Sequence, residues 1–166
     1  MMTAFGGFQN DNDFGCKYLL GRGKREYNVG MWKSAKNVAL DFVRAINRHD
    51  VEGMLAFMAP GHRFVDSMGQ IVEGREKVRV CWAGYFHMVP DYSITVDETI
   101  GSGAVVVMLG AAKGTYTPEG WLRDENRWEM PAAFRASIKS GKVAEWRVYA
   151  DNEPMRQRMR LANIGP

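Results

Sequence analysis

The sequence predicts an α+β domain, with helices packed on one face of a sheet of long antiparallel strands. Three observations point to it. Between residues 34 and 88 the hydrophobic spacing is helical, Val38, Phe42 and Ile46 lying four apart. After Asp91 the period switches to two and persists to residue 150. Gly101-Ser102-Gly103 and Ser140-Gly141 cut that second half into strands at positions where turns are easily made.

Residues 1–32 hold Gly, Asn, Asp and Lys without a sustained period and read as a leader without fixed structure. Met31 immediately precedes the first periodic segment, so the natural start is expected there. An N-terminal peptide from upstream of Met31 in the native protein would reject this. The domain itself is expected over 33–155, with a C-terminal helix or tail over 156–166. Within it, Ala35, Ala39 and Val43 widen the stripe of the first helix, which closes at Asn47-Arg48-His49. Asp50 can cap a second helix over 51–58, ended by Pro60-Gly61. A helix over 74–88 carries Val78, Cys81, Trp82, Tyr85 and Phe86 on one side and stops at Pro90. Strands follow over 92–96, 104–116, 126–138 and 142–150. The apolar run opening the second of these predicts burial on both faces. A short helix over 154–161 closes the chain.

Composition narrows the function. A chain of 166 residues fits one domain, and 46% hydrophobic with 25% charged residues is ordinary for a globular protein. No apolar run approaches the roughly 18 residues of a membrane span, and the start lacks the pattern of a secretory signal. Cys16 and Cys81 are far apart, so neither a disulfide framework nor a metal site is expected, and the cytoplasm is the expected compartment. His49, His62 and His87 do not have metal-ligand spacing. Residues 1–33 account for +2 of the net charge of +3, and Arg156, Arg158 and Arg160 read as a solvated helix face. Nucleic-acid binding is not expected.

The most informative stretch is Arg63-Phe64-Val65-Asp66-Ser67-Met68-Gly69-Gln70 followed by Gly74-Arg75-Glu76. It sets one carboxylate in an otherwise apolar strand, just before a helix. A strand carboxyl facing an apolar interior loses water and becomes useful as a proton donor or acceptor.

Several pieces, in order and spacing, make a family resemblance. They are Asn47-Arg48-His49-Asp50, Phe64-Val65-Asp66, Gly74-Arg75-Glu76, Val89-Pro90-Asp91-Tyr92, Gly114-Thr115-Tyr116, and Ser140-Gly141-Lys142-Val143 running on to Trp146-Arg147-Val148-Tyr149-Ala150-Asp151. Over roughly 34–155 the chain resembles the nuclear-transport-factor-2-like (NTF2-like) superfamily. That group includes ketosteroid isomerase, the SnoaL-like polyketide cyclases and limonene epoxide hydrolase. The resemblance implies a cone-shaped, curved mixed β-sheet wrapped around the N-terminal helices, an apolar cavity, and commonly a homodimer through the sheet.

It also implies positions for chemistry. Asp66 matches the general base of ketosteroid isomerase. The Tyr of that enzyme's oxyanion hole falls on Phe42 and its Asp on Ala133 or Met130, so both donors are replaced. The Tyr and Asn of limonene epoxide hydrolase fall on Phe64 and Asp66, and its Arg and second Asp near Leu109 and Ala111. Its C-terminal Asp falls on Val148, as does the acid/base Asp of SnoaL-type cyclases. The fold is retained while the known catalytic sets are not.

The candidate catalytic residues are therefore Asp66, His62, which shares strand parity with it, and Tyr116, whose hydroxyl could replace a lost donor, as could that of Tyr85. The candidate ligand-binding residues are Phe42, Phe64, Trp82, Tyr85, Phe86, Trp128, Met130, Trp146 and Val148. Arg135 either enters the cavity or stands on the outer sheet face, the second being favoured. The expected function is binding of a small hydrophobic or aromatic molecule, with Asp66 serving a cofactor-independent isomerase, cyclase or hydrolase. The alternative is a non-catalytic binding or dimerisation module.

Overall fold

Capping by short polar side chains sets the first two helices. In this computed structural model, which describes residues 34–118 and 120–164, the Ser34 hydroxyl accepts the Asn37 N–H at 3.2 Å and starts α1 (Ala35–Asn47). The Asp50 carboxylate accepts the Gly53 N–H at 2.8 Å and starts α2 (Val51–Phe57). Phe42 and Ile46 of α1 are fully buried, on the stripe that the spacing marked. The expected leader over 1–32 lies outside the described residues.

Helix α2 ends before Met58 because that residue already belongs to β1 (Met58–Val65). A turn over 66–70 folds the chain back into β2 (Ile71–Glu73), a short strand that the sequence did not reveal. Helix α3 (Arg75–Met88) follows and buries Val78, Trp82 and Phe86. The rest is β3 (Ser93–Ser102), β4 (Val105–Thr115), β5 (Arg127–Lys139), β6 (Lys142–Ala150) and α4 (Glu153–Ile164), with a single 3-10 turn over Asp124–Asn126 before β5.

The six strands form one sheet in the order β2-β1-β6-β5-β4-β3. Only β1 and β6 run parallel, so the sheet is mixed; it curls without closing, giving the cone-shaped α+β fold. Strand β3 is longer than the expected 92–96. It absorbs an extra residue as a bulge between Val96 and Glu98, and the chain turns only at Gly103, whose φ is +57°. Gly110 sits opposite that bulge. A Cβ there would stand 1.9 Å from the Thr95 carbonyl oxygen, so the close approach of β3 and β4 requires glycine.

Strand β5 alternates cleanly, with Trp128, Met130, Ala132, Phe134 and Ala136 buried. The expectation that β4 opens buried on both faces is not met. Val106 and Met108 are buried, whereas Leu109 is 38% exposed and Val105 and Val107 are half-buried, because the outer face of the sheet is uncovered in the single chain.

That outer face carries an ionic cluster. Glu145 accepts from Arg135 at 2.8 Å and from Arg63 at 3.0 Å, and the Arg147 guanidinium lies 3.7 Å away. Arg135 thus stands on the outside, between the inward Phe134 and Ala136.

Candidate functional site

The core is filled unevenly, and this creates the site. Beneath α1, Phe134, Trp146 and Phe42 pack against one another, Phe42 and Trp146 edge-on at 5.1 Å and Phe134 and Trp146 stacked at 5.6 Å. Toward the other end Ala132 and Ala150 pair across β5 and β6, and Ala112 of β4, opposite Met130 and diagonal to Ala132, lies on the wall itself. Small residues there leave space that the helices do not fill. A cavity of about 430 Å³ remains, bounded by α3, the turn over 66–70, the sheet and α4. Its wall is overwhelmingly apolar, with Phe64, Trp82, Met130 and Val148 on it. Met68, Met88, Met155 and Met159 add flexible thioethers, which adapt to irregular shapes.

Asp66 lies on this wall. It is not inside the strand, as expected, but one residue beyond β1, at the start of the turn. Its Oδ1 accepts the N–H groups of Met68 at 2.9 Å and Gln70 at 2.8 Å. That arrangement builds the turn and fixes the carboxylate without any arginine. One oxygen is committed to the backbone, and Oδ2 is left for other partners.

Facing it from α3 and the segment after it are two phenols. Tyr85 and Tyr92 both line the cavity, their rings edge-to-face at 5.0 Å. Burial pushes the pKa of each hydroxyl well up, and for Tyr85 the neighbouring Tyr92 adds to the effect. Both are therefore neutral hydrogen-bond donors at physiological pH. The Tyr85 hydroxyl has only the Met155 thioether, at 3.9 Å, as acceptor. The indole N–H of Trp82, also on the wall, is buried without a partner among the described residues. Tyr92 was not a sequence candidate. Its place just past the Pro90 helix stop read as the start of a strand, and only the tertiary packing of α3 brings it beside Tyr85.

The other sequence candidates stand elsewhere. His62 is fully buried beneath α1, 6.1 Å from the Phe42 ring, and its Nδ1 donates to the Val143 carbonyl at 2.8 Å. Loss of hydration lowers its pKa, the hydrogen bond and Glu145 opposing this, so the ring is held neutral with Nε2 unpartnered. His62 does face the interior, as Phe64 does, but it lies four positions back along the chain, about 13 Å if extended, beneath the filled part of the core, and Asp66 has left the strand. Tyr116 is buried at the end of β4, away from the wall. Phe42 and Trp146 belong to the filled half of the core. Phe86 backs Trp82 at 5.2 Å from behind, and Trp128 lines a separate surface depression with Asp91 and Lys113. There the Asp91 carboxylate is committed to the Thr115 N–H at 2.6 Å and hydroxyl at 2.7 Å.

Among the described residues no group of His, Cys, Asp or Glu is arranged to hold a metal ion, and no helix is long and apolar enough to cross a membrane.

A curled mixed sheet around helices, with a hollow at its open end, defines an NTF2-like protein. Residues 39–146 match the SnoaL-like domain, and the chain belongs to that family. Solved structures agree in fold. A proposed SnoaL-like polyketide cyclase from Shewanella denitrificans OS-217 superposes with a TM-score of 0.67 at 15% identity, covering 76% of this chain and 97% of that one. AclR, a proposed hydroxylase from Streptomyces galilaeus, gives 0.63 at 19% identity over 76% and 96%. An NTF2-like protein from Burkholderia thailandensis E264 gives 0.65 at 20% identity over 76% and 98%. At such identities the likeness is one of fold alone. No protein with a curated description matches the chain.

Proposed function

We propose that the cavity binds a small hydrophobic or aromatic molecule bearing a carbonyl group, and that Asp66 moves a proton on it without metal or organic cofactor. The supporting observation is that one apolar hollow is walled by a single carboxylate, Asp66, and by the neutral phenols Tyr85 and Tyr92. Asp66 Oδ2 takes a proton from the carbon next to the carbonyl. The C–H electron pair becomes the enolate double bond, and the charge moves to oxygen, where Tyr85 and Tyr92 donate hydrogen bonds. In an isomerisation Asp66 returns the proton to a further carbon. In a cyclisation the enolate carbon attacks a second carbonyl of the same molecule, and the new alkoxide takes the proton. Proton transfer of this kind supplies about 10²–10⁴-fold. Preplaced donors at a developing oxyanion supply a comparable factor, about 10²–10³ each.

The test is exchange of the α-protons of 2-tetralone in D2O, followed by proton NMR. Acceleration by the wild type that is lost in Asp66→Asn supports the reading, and equal rates in both reject it. A second reading, a binding module without chemistry, is favoured by one observation: the Asp66 carboxylate already serves the turn through Met68 and Gln70. Binding of 2-tetralone without exchange would select it. The exposed Leu109 and Tyr149 beside the Glu145 cluster support a homodimer through the outer sheet face, which size-exclusion chromatography with light scattering would test.

A further inference from the structure

We infer that the molecule bound in this cavity is an acid, an apolar ring system carrying a carboxylate that Arg156 of α4 holds at the rim. The inference rests on the cavity being a ligand site. It starts from a mismatch between donors and acceptors on the wall. Among the described residues Trp82 Nε1–H has no partner, and the Tyr85 hydroxyl has only a thioether. Arg156 also reaches only a thioether, its Nη2 lying 2.6 Å from Met68 Sδ. Thioether sulfur is a weak acceptor for any of these groups. On the acceptor side, Asp66 Oδ1 is occupied by two backbone N–H groups, and Oδ2 alone stands against these several donors. A ligand that completes this wall must bring acceptor oxygens.

Arg156 decides that one of them is charged. Several other arginines find carboxylates, Arg63 and Arg135 on Glu145, Arg79 on Glu52 and Arg160 on Glu153, while Arg158 donates to the Arg127 carbonyl. Arg156 lines the cavity and has no carboxylate within ion-pair distance among the described residues. Its helix is anchored beside Asp66, while the Arg156 side chain itself is exposed at the rim. The Asn152 side-chain amide donates to the Ser67 hydroxyl at 2.5 Å, which ties the start of α4 to the Asp66 turn. One rim cation and one fixed anion on the same wall orient an acid. Asp66 repels the carboxylate, Arg156 binds it through charge-assisted hydrogen bonds, and the apolar body lies against Trp82 and Met130.

The experiment uses the full chain and three probes. N-phenyl-1-naphthylamine fluorescence reports whether the hollow takes an apolar body at all, and 2-naphthoate and 2-naphthamide then compete for it. The expected result is that wild type prefers the acid to the amide. Arg156→Gln should weaken 2-naphthoate about tenfold and change 2-naphthamide less than about twofold, and Arg156→Lys should fall between. Acid binding should also weaken between low and high salt. Equal affinity for acid and amide in wild type, or an unchanged acid affinity in Arg156→Gln, overturns the inference while leaving the apolar site intact. No fluorescence change with N-phenyl-1-naphthylamine overturns both.

Discussion

Tyr85 and Tyr92 meet edge-to-face, their ring centroids 5.0 Å apart, on the cavity wall that also carries Asp66. Under the proposed function this pair takes the place of the oxyanion donors that the resemblance to ketosteroid isomerase implies are replaced at Phe42 and at Ala133 or Met130. If both hydroxyls serve a developing oxyanion, Tyr85→Phe and Tyr92→Phe should each lower α-proton exchange of 2-tetralone by about 10–100-fold, somewhat less than loss of a full oxyanion-hole donor. The melting temperature should hold within a few degrees, because the ring contacts remain. Rate measurements beside thermal melts separate the two effects.

Asp66 combines a structural and a proposed chemical task, and two substitutions divide them. Asparagine keeps an oxygen for the Met68 and Gln70 N–H groups but cannot accept a proton at neutral pH. Asp66→Asn should therefore lose exchange activity by about 10²-fold or more with little change in stability. Asp66→Ala removes the turn bonds as well and should also cost about 1–3 kcal/mol by denaturant unfolding.

His62 gives the fold a pH dependence. Its pKa is lowered in the folded chain, so below the ordinary value near 6.5 the unfolded chain binds a proton that the folded one does not. The contribution is fully present above that value and declines as pH falls toward the lowered folded pKa. Urea midpoints of the wild type should decrease from about pH 6.5 downward. His62→Gln, which can still donate to the Val143 carbonyl, should flatten that slope while lowering stability at pH 8.

Gly110 is where β3 and β4 come closest. Alanine would press its Cβ into the Thr95 carbonyl, a backbone atom that cannot swing away. Gly110→Ala should destabilise by about 3 kcal/mol, whereas Gly84→Ala, with open space on exposed α3, should be neutral or stabilising. Thermal unfolding of the two variants tests the contrast.

The architecture was largely legible because periodicity and capping are local signals. Val38, Phe42 and Ile46 marked the buried face of α1, and the alternation of β5 marked its inward row. What stayed hidden depends on contacts distant in sequence. Strand β2 has only three residues and exists because β1 pairs with it. Parity places His62 inward correctly, but Phe42 of α1 covers it, and a parity count over one strand does not show which part of the interior is filled. Half of the site was legible in the same sense. Asp66, Phe64, Trp82, Tyr85, Met130 and Val148 do line one hollow. Tyr92, the methionines and Arg156 reach it only through the packing of α3 and α4. A run of arginines on a terminal helix carries no local sign of which one stands at the rim of a hollow.

The most direct measurement follows the tryptophan indole N–H resonances by two-dimensional ¹H–¹⁵N NMR while 2-tetralone is added, with Trp82 assigned from a Trp82→Phe variant. Trp82 is on the cavity wall with its N–H unpartnered, whereas Trp146 lies in the filled core and Trp128 on a different depression. The account predicts a saturable shift of the Trp82 resonance with Trp128 and Trp146 unmoved. A Trp82 resonance that stays fixed at saturating 2-tetralone, or shifts confined to Trp128, would contradict it.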